Sequence, residues 1–216
     1  MSTKFICLAN SFKEGGRCLA GIEVDAKDNP VIINGKPKWI RPVSNMLHGE
    51  IPNHIAEPFK ILDIVEITIT GTKPEGYQSE NVTFNTGSLM KAGSFDIKQI
   101  KNLCERSKYV FATRYDYLSE EVIENLNHSL LLIKPKTFEV IERPNYQYPD
   151  RPKQRLVFSF NDFTYDFSIT DPVFLRKYQK NPDFFEDIEE IVLSLSVGVK
   201  FPLTNRYYKL VAGIIY

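Results

Sequence analysis

The chain has 216 residues, with 27 Lys and Arg against 27 Asp and Glu, so its formal net charge at pH 7 is zero. This length is enough for one large domain or two small ones, each with its own core. A balanced charge disfavours an avid nonspecific binder of nucleic acid, because a polyanion would have to meet a local positive patch. No window resembles an apolar membrane span and the start lacks a signal-peptide pattern, so we expect a cytoplasmic protein without membrane contact.

The cysteines exclude two common kinds of small scaffold. Cys7, Cys18 and Cys104 are an odd number and form no C-x-x-C pair, which argues against a disulfide framework and a zinc ribbon. We expect Cys7 and Cys18 to be reduced and buried, and to lie opposite each other if a hairpin turns around Lys13.

The first elements form a decorated hairpin followed by a short strand. Residues 6–9 and 18–24 are apolar and of strand length, and residues 10–16 between them end in the glycine pair that a tight reversal needs. Residues 36–42 predict a third strand that carries cations and the only Trp of the chain. The strand ends therefore combine positive charge, amides and an aromatic ring.

The middle of the chain alternates strands with short helices. In residues 61–70, Val65, Ile67 and Ile69 alternate with polar residues, which predicts a strand with one buried face. Asp96 is placed to cap a helix that ends near Arg106. Further patterns predict a helix over 119–127 and strands over 130–133 and 138–141.

The last third contains the clearest local structure. Residues 156–169 predict a hairpin with a two-residue turn at Asn161 and Asp162, which places five aromatics and a Leu on one face, as a core or as a platform for bases. Asp171 or Thr170 would cap a following helix, and strands would occupy 191–199 and 207–216. The fold class predicted from all patterns is mostly β, with a few short helices.

No catalytic motif appears in the chain. His48, His54 and His128 are the only histidines, and neither a metalloprotease motif, a nucleophile elbow nor a phosphate loop occurs. We therefore expect a non-catalytic protein without a metal or cofactor. Gly15, Gly16 and Arg17 could hold a phosphate through backbone donors and charge, or could be a plain turn.

Three segments carry a resemblance to a known family. Residues 4–21 read K-F-I-C-L-A-N-S-x-K-x-G-G-R-C-x-A-G, residues 39–44 read W-I-R-P-V-S before Gly49 and Glu50, and residues 207–215 read Y-Y-K-L-V-A-G-I-I. Together they resemble the prokaryotic dual OB-containing domain family. This resemblance implies two OB-like β-barrels packed as one compact unit, with a nucleic-acid-binding role. We place the N-terminal barrel at residues 1–86, and a helical connector with the C-terminal barrel at residues 87–216.

The resemblance and the residues point to one candidate surface on the N-terminal barrel. Single-strand binders combine cations along the backbone with aromatics under the bases. Phosphate contacts are expected from Lys13, Arg17, Lys38 and Arg41, stacking from Trp39 or Phe12, and hydrogen bonds from Asn10, Ser11 and Ser44. The alternative is structural, with Trp39 inside the barrel and Arg41 paired to an acid such as Glu50.

The predicted function is a non-catalytic module that binds nucleic acid, with single-stranded RNA or DNA favoured over duplex. Two other classes remain open. One is a small-ligand sensor that holds a nucleotide in the Gly-rich turn. The other is a protein-interaction adaptor with a protein partner, for which the acidic residues 183–190 are the main indication.

Overall fold

The computed structural model describes residues 2–145 and 152–216. The chain divides into two compact units, Met1–Glu105 and Arg106–Tyr216. The sequence predicts a domain boundary after Thr86, and this boundary remains a prediction. Strand pairing takes the first unit further along the chain, because a strand at Met90–Ser94 pairs within it.

The first unit is built almost entirely from strands and short turns. Its strands are β1 (Ser2–Lys13), β2 (Gly16–Val24), β3 (Ile32–Ile33), β4 (Lys36–Pro37), β5 (Trp39–Val43), β6 (Asp63–Thr72), β7 (Asn81–Phe84) and β8 (Met90–Ser94). Its helical elements are α1 (Asn53–Ala56) and two 3₁₀ turns at Thr86–Ser88 and Ile97–Leu103. Asp96 caps the second of these by accepting from the Lys98 amide at 3.0 Å, so the predicted helix exists but is 3₁₀.

Five of these strands close into a barrel. The order is β1-β2-β5-β7-β6, and β6 returns to pair with β1. Only the β5–β7 pair among them is parallel. β1 is long enough to pair with β2 along one edge and with the start of β6 along the other. The mostly-β prediction is confirmed, and the closed barrel agrees with the OB resemblance.

Apolar side chains of β6, which alternate with polar residues as predicted, help to fill the barrel interior. Val65 and Ile67 are fully buried and Ile69 is partly buried. They pack in one cluster with apolar side chains of the other strands, including Phe5 and Leu19. Burial of these side chains is the main favourable term that holds the unit together.

The first hairpin turns later than the sequence analysis assumed. Lys13 pairs with Gly16, so Glu14 and Gly15 form a two-residue turn with φ angles of 43° and 81°, the geometry that suits a β-hairpin and favours glycine. Asn10, Ser11 and Phe12 therefore belong to β1. Cys18 lies opposite Ser11, while Cys7 lies opposite Gly21. The predicted facing of Cys7 and Cys18 is wrong. Among the described residues the three cysteines form no disulfide, and Cys7 is buried whereas Cys18 is only partly buried.

The second unit repeats the strand order of the first. Its elements are β9 (Tyr117–Leu118), α2 (Glu120–Glu124), β10 (Leu130–Ile133), β11 (Thr137–Arg143), β12 (Lys153–Phe160), β13 (Phe163–Ile169), α3 (Pro172–Lys180), β14 (Val192–Phe201) and β15 (Arg206–Ile215), with 3₁₀ turns at Val110–Ala112 and Pro182–Phe185. The sheet runs β11-β12-β13-β15-β14-β10. If β11 is counted as the first strand, the neighbours in this sheet are the first, second, third, fifth and fourth strands along the chain. The barrel of the first unit has the same order, in which β7 is the fifth strand and β6 the fourth. The β13–β15 pair is parallel, like β5–β7.

The two edge strands of the second sheet are neighbours along the chain. β10 pairs with β14 and β11 pairs with β12, and the three residues between them include Pro135. Proline lacks a backbone donor and interrupts a strand. The position of the single strand β1 in the first unit is thus taken by β10 and β11 in the second.

The aromatic hairpin of the second unit is confirmed in register and in burial. Phe160 pairs with Phe163, and Phe158 pairs with Tyr165. Phe158, Tyr165 and Phe167 are buried, so the interpretation as core is correct. Asp171 caps α3 by accepting from the amides of the residues that follow Pro172.

Candidate nucleic-acid interface

The structure separates the predicted site residues along β2. Lys13 and Arg17 lie at the turn between β1 and β2. Trp39 pairs with Ile22, five positions after Arg17, and Lys38 forms an ion pair of 2.8 Å with Glu23. At ~3.3 Å per residue, five positions correspond to roughly 16 Å. Lys38 and Trp39 are therefore not brought to the hairpin turn.

Phe12, Lys13 and Arg17 lie at the turn, with Phe12 exposed, Lys13 half-buried and Arg17 buried. We call these three residues the hairpin-tip surface. The Phe12 ring is 53% exposed. The Arg17 guanidinium lies 4.8 Å from the centroid of that ring, a distance at which a cation is attracted to the ring face. The guanidinium is held from behind, because its Nε donates to Asn53 Oδ1 at 2.9 Å and its Nη2 lies 3.8 Å from Glu57 Oε1.

Lys13 completes the hairpin-tip surface and is half-buried. Its Nζ lies beside Gly49, in the loop that joins β5 to α1. In this loop, hydrogen bonds from backbone amides, aided by the charges of His48 and Lys13, lower the pKa of the Glu50 carboxyl. The exposed side chains of Met46 and Leu47 belong to the same loop.

Asn10, Ser11 and Ser44 are buried behind this surface. Asn10 Nδ2 donates to the carbonyl oxygens of Ala56 and Phe59, each at 2.8 Å. Ser44 Oγ donates to the Glu50 carbonyl and accepts from the Met46 amide. The Asn10 and Ser44 hydrogen bonds fix the segments around the hairpin tip, and in this structure the three side chains face protein.

Arg41 is also buried, in an ion pair with Glu80. Its Nη2 lies 3.3 Å from Glu80 Oε1, and the two side chains are 3% and 4% exposed. To reach a phosphate, the guanidinium would have to leave its carboxylate. Trp39 is half-buried, and its Nε1 donates to Glu105 Oε1 at 3.1 Å. Arg41 is thus paired to an acid, as the structural alternative expects, but the acid is Glu80 and not Glu50.

The Gly-rich turn is explained by the hairpin itself. Asn53 Nδ2 donates to the Gly15 carbonyl at 2.9 Å. A Cβ on Gly16 would lie 2.7 Å from the Ile51 carbonyl oxygen, so only glycine permits this approach of the two backbones. Both glycines are thus required by local geometry, whether or not a phosphate binds.

A second surface, which the sequence analysis did not identify, lies on the second unit. Four rings follow one another, and we call them the outer aromatic face: Tyr115, Tyr117, Tyr208 and Phe201. Their successive centroids are 5.7, 6.5 and 6.0 Å apart. Arg206 lies 3.8 Å from the centroid of Tyr117, and Arg114 lies 5.3 Å from that of Tyr115.

Strand pairing assembles this face from two distant parts of the chain. β9 pairs with β15, which places Tyr117 opposite Tyr208. Phe201 and Arg206 face each other at the end of the β14–β15 hairpin. The sequence does indicate part of this face, because Arg206 and Tyr208 alternate on one strand and Phe201 lies just before the turn that leads to it. The two-residue strand β9, in contrast, has no pattern that reveals its partner.

Within residues 2–145 and 152–216, no group of three or more His, Cys, Asp or Glu side chains is arranged to hold a metal ion. A helix long and apolar enough to cross a membrane is likewise missing from the part of the chain that the structure describes.

Comparison with known proteins gives one family and a remote structural likeness. No curated protein matches the sequence. A solved structure of a Replication Protein A heterotrimer bound to ssDNA aligns with 12% identity and a TM-score of 0.35, over 92% of this chain and 44% of that one. A likeness at this level carries no argument about function. The profile of the Dual OB-containing domain family matches residues 3–214. With nearly its whole length matched and the same strand order in both units, the chain belongs to the Dual OB-containing domain family.

Proposed function

We propose that the protein is a non-catalytic module that binds single-stranded nucleic acid, with the hairpin-tip surface as one contact. The observation that carries the proposal is the exposed Phe12 ring, backed by the fixed Arg17 guanidinium and flanked by Lys13. An OB-like barrel alone does not establish a function. The proposal therefore depends on these three side chains.

Each side chain has a distinct role in this proposal. A base stacks on the open face of Phe12, since aromatic rings accept any base. Arg17 stabilises the ring from below and is itself held by Asn53 and Glu57. Lys13 follows Phe12 on β1, and its ammonium contacts a phosphate of the bound nucleic acid. Arg41 takes no direct part, because it is bound to Glu80 inside the barrel.

Salt dependence measures the phosphate contact of Lys13. Each phosphate neutralised on a single strand contributes a slope of about −0.7 in log K against log salt. We expect Lys13→Ala to reduce the wild-type slope by about that amount. Lys36→Ala is the matched control, because Lys36 is an exposed cation on β4, away from the turn.

Stacking on Phe12 is tested by fluorescence anisotropy with labelled single-stranded RNA, single-stranded DNA and duplex. A stacked base contributes about 1–3 kcal/mol, so Phe12→Ala should weaken single-strand binding about tenfold or more. The ring is exposed and its removal should leave the melting temperature close to that of the wild type. Equal binding by Phe12→Ala and wild type would remove this surface from the proposal.

Failure of the wild type to bind any oligonucleotide would overturn the proposed function as a whole. Thermal stabilisation by mononucleotides would then favour a small-ligand sensor. A protein partner that co-purifies after nuclease treatment would instead favour an adaptor.

A further inference from the structure

We propose that the outer aromatic face of the second unit is a separate binding site for single-stranded nucleic acid. This inference rests on the proposed function only for the class of ligand, single-stranded nucleic acid. None of the residues of the outer aromatic face belongs to the hairpin-tip surface. The site consists of the four rings Tyr115, Tyr117, Tyr208 and Phe201, together with Arg114 and Arg206.

The rings of this face are directed away from the interior of their sheet. Arg206 and Tyr208 are two positions apart on β15, so their side chains share one face. Lys209 lies between Tyr208 and the buried end of the strand and points to the opposite side, where it is buried. Tyr115 is 51% exposed and Phe201 is 46% exposed. Their rings therefore present surface to a ligand, unlike the buried rings of the β12–β13 hairpin.

The two arginines of this face contact aromatic rings. Among the described residues, neither Arg114 nor Arg206 forms a salt bridge; each guanidinium lies over a tyrosine ring instead. The nearby carboxylates are already engaged, since Asp116 lies 3.8 Å from Arg155 and Glu120 accepts from Lys200 at 3.0 Å. The face thus keeps the positive charge of both arginines.

This combination fits a single strand better than it fits an acidic peptide. A guanidinium that lies over a ring is planar and pre-organised, and it can stack on a base or donate to a phosphate. Rings in series provide stacking positions for successive bases without reading their sequence. An acidic peptide would use the charges but leave most of the four rings without a partner.

The experiment removes the two most exposed rings together. We expect Tyr115→Ala with Phe201→Ala to weaken binding of single-stranded RNA or DNA about 30-fold or more, which corresponds to at least about 1 kcal/mol for each of two stacked bases. Leu203→Ala is the matched control, because Leu203 is 87% exposed on the same hairpin but has no ring. Tyr115→Phe with Phe201→Tyr keeps both rings and should bind like the wild type.

Site mapping separates this inference from the proposed function. After ultraviolet crosslinking of the wild type to each oligonucleotide, mass spectrometry should find adducts in residues 114–117 or 201–208. If Phe12→Ala weakens binding but the double Ala variant does not, and adducts avoid these segments, the inference is overturned while the proposed function stands. If only the double variant weakens binding, the outer aromatic face is supported and the hairpin-tip surface falls. If the wild type binds neither single-stranded RNA nor single-stranded DNA, both the inference and the proposed function are overturned.

Discussion

The two units share a strand order but place their cations in opposite ways. The first unit buries Arg17 and Arg41 beside carboxylates, the exposed Glu57 for Arg17 and the buried Glu80 for Arg41. In the described part of the second unit, the arginines 114 and 206 stay outside on aromatic rings, and the buried cation is Lys209. An arginine near strand ends can therefore contact a ligand directly only where no carboxylate holds its guanidinium; otherwise it supports its neighbours, as Arg17 supports Phe12.

The connections between the fourth and fifth strands of the shared order show the same contrast. On β6 and β7 the outward residues include Thr70 and Thr83, whose hydroxyls are 3.0 Å apart. On β14 and β15 the outward residues are Phe201, Arg206 and Tyr208. The strand order is common to both hairpins, whereas the surface chemistry is set by the outward residues alone.

The largest effect is expected from breaking the buried ion pair of the first unit. Arg41→Met removes the guanidinium and leaves the Glu80 carboxylate inside the protein. Removing one partner of a buried pair lowers the free energy of unfolding by about 3–5 kcal/mol. Chemical denaturation of the variant beside the wild type measures the loss.

Lys38→Met provides the control for this prediction. Lys38 is close to Arg41 in the sequence, but its ion pair with Glu23 lies at the surface, where such pairs contribute about 1 kcal/mol or less. A loss of about 1 kcal/mol or less in Arg41→Met, no larger than in Lys38→Met, would contradict the structural role of Arg41. It would then return Arg41 to the group of residues available to a ligand.

The buried cation of the second unit should have a smaller but clear effect. Lys209 Nζ donates to the carbonyl oxygens of Val110 and Thr113, at 2.6 and 2.8 Å, and to Thr113 Oγ1 at 2.9 Å. It thereby holds a turn in which Phe111 and Ala112 both have positive φ angles, a backbone conformation that non-glycine residues rarely adopt. Lys209→Met leaves these oxygens without their donor, and we expect it to lower the free energy of unfolding by about 2–3 kcal/mol.

Lys177→Met is a suitable comparison for Lys209→Met. The Lys177 ammonium lies over two rings and donates to Tyr216 Oη at an exposed position. Water can replace that hydrogen bond, so denaturation should show a much smaller loss. A loss in Lys209→Met as small as that in Lys177→Met would mean that the oxygens around Lys209 do not depend on its ammonium.

Sequence reasoning succeeded where the determining interactions are local. The 156–169 hairpin was predicted in register, because a two-residue turn and strict alternation leave one pairing. A helix cap at Thr170 or Asp171 is predicted for the same reason, and Asp171 provides it. These features depend on residues close together in the chain, and no distant partner can change them.

Sequence reasoning was incomplete where a distant partner decides the role of a side chain. Arg41 meets Glu80 because β5 pairs in parallel with β7, a pairing that no local pattern encodes. Tyr117 reaches Tyr208 through the two-residue strand β9. A charged or aromatic residue looks the same in the sequence whether its neighbour in space is a carboxylate, a ring or water.

The smallest predicted effect is a dependence of stability on pH that comes from Lys209. The buried arginines of the first unit cannot cause such a dependence, because a guanidinium keeps its charge. Burial lowers the pKa of Lys209 from 10.5 to about 7. Above pH 7 the unfolded chain therefore holds a proton that the native protein has released, so the free energy of unfolding gains a contribution that rises with pH.

The comparison of wild type with Lys209→Met isolates this contribution. Between pH 7 and 8 the difference in unfolding free energy between the two should grow by about 1 kcal/mol in favour of the wild type. Denaturant titrations at half-unit steps of pH measure it, and subtracting the variant removes the titration of other groups. Three oxygen acceptors around Nζ act in the opposite sense, because they stabilise the ammonium. A difference that stays flat up to pH 9 would show that those acceptors outweigh burial, and that the second unit keeps its interior cation charged as the first unit does.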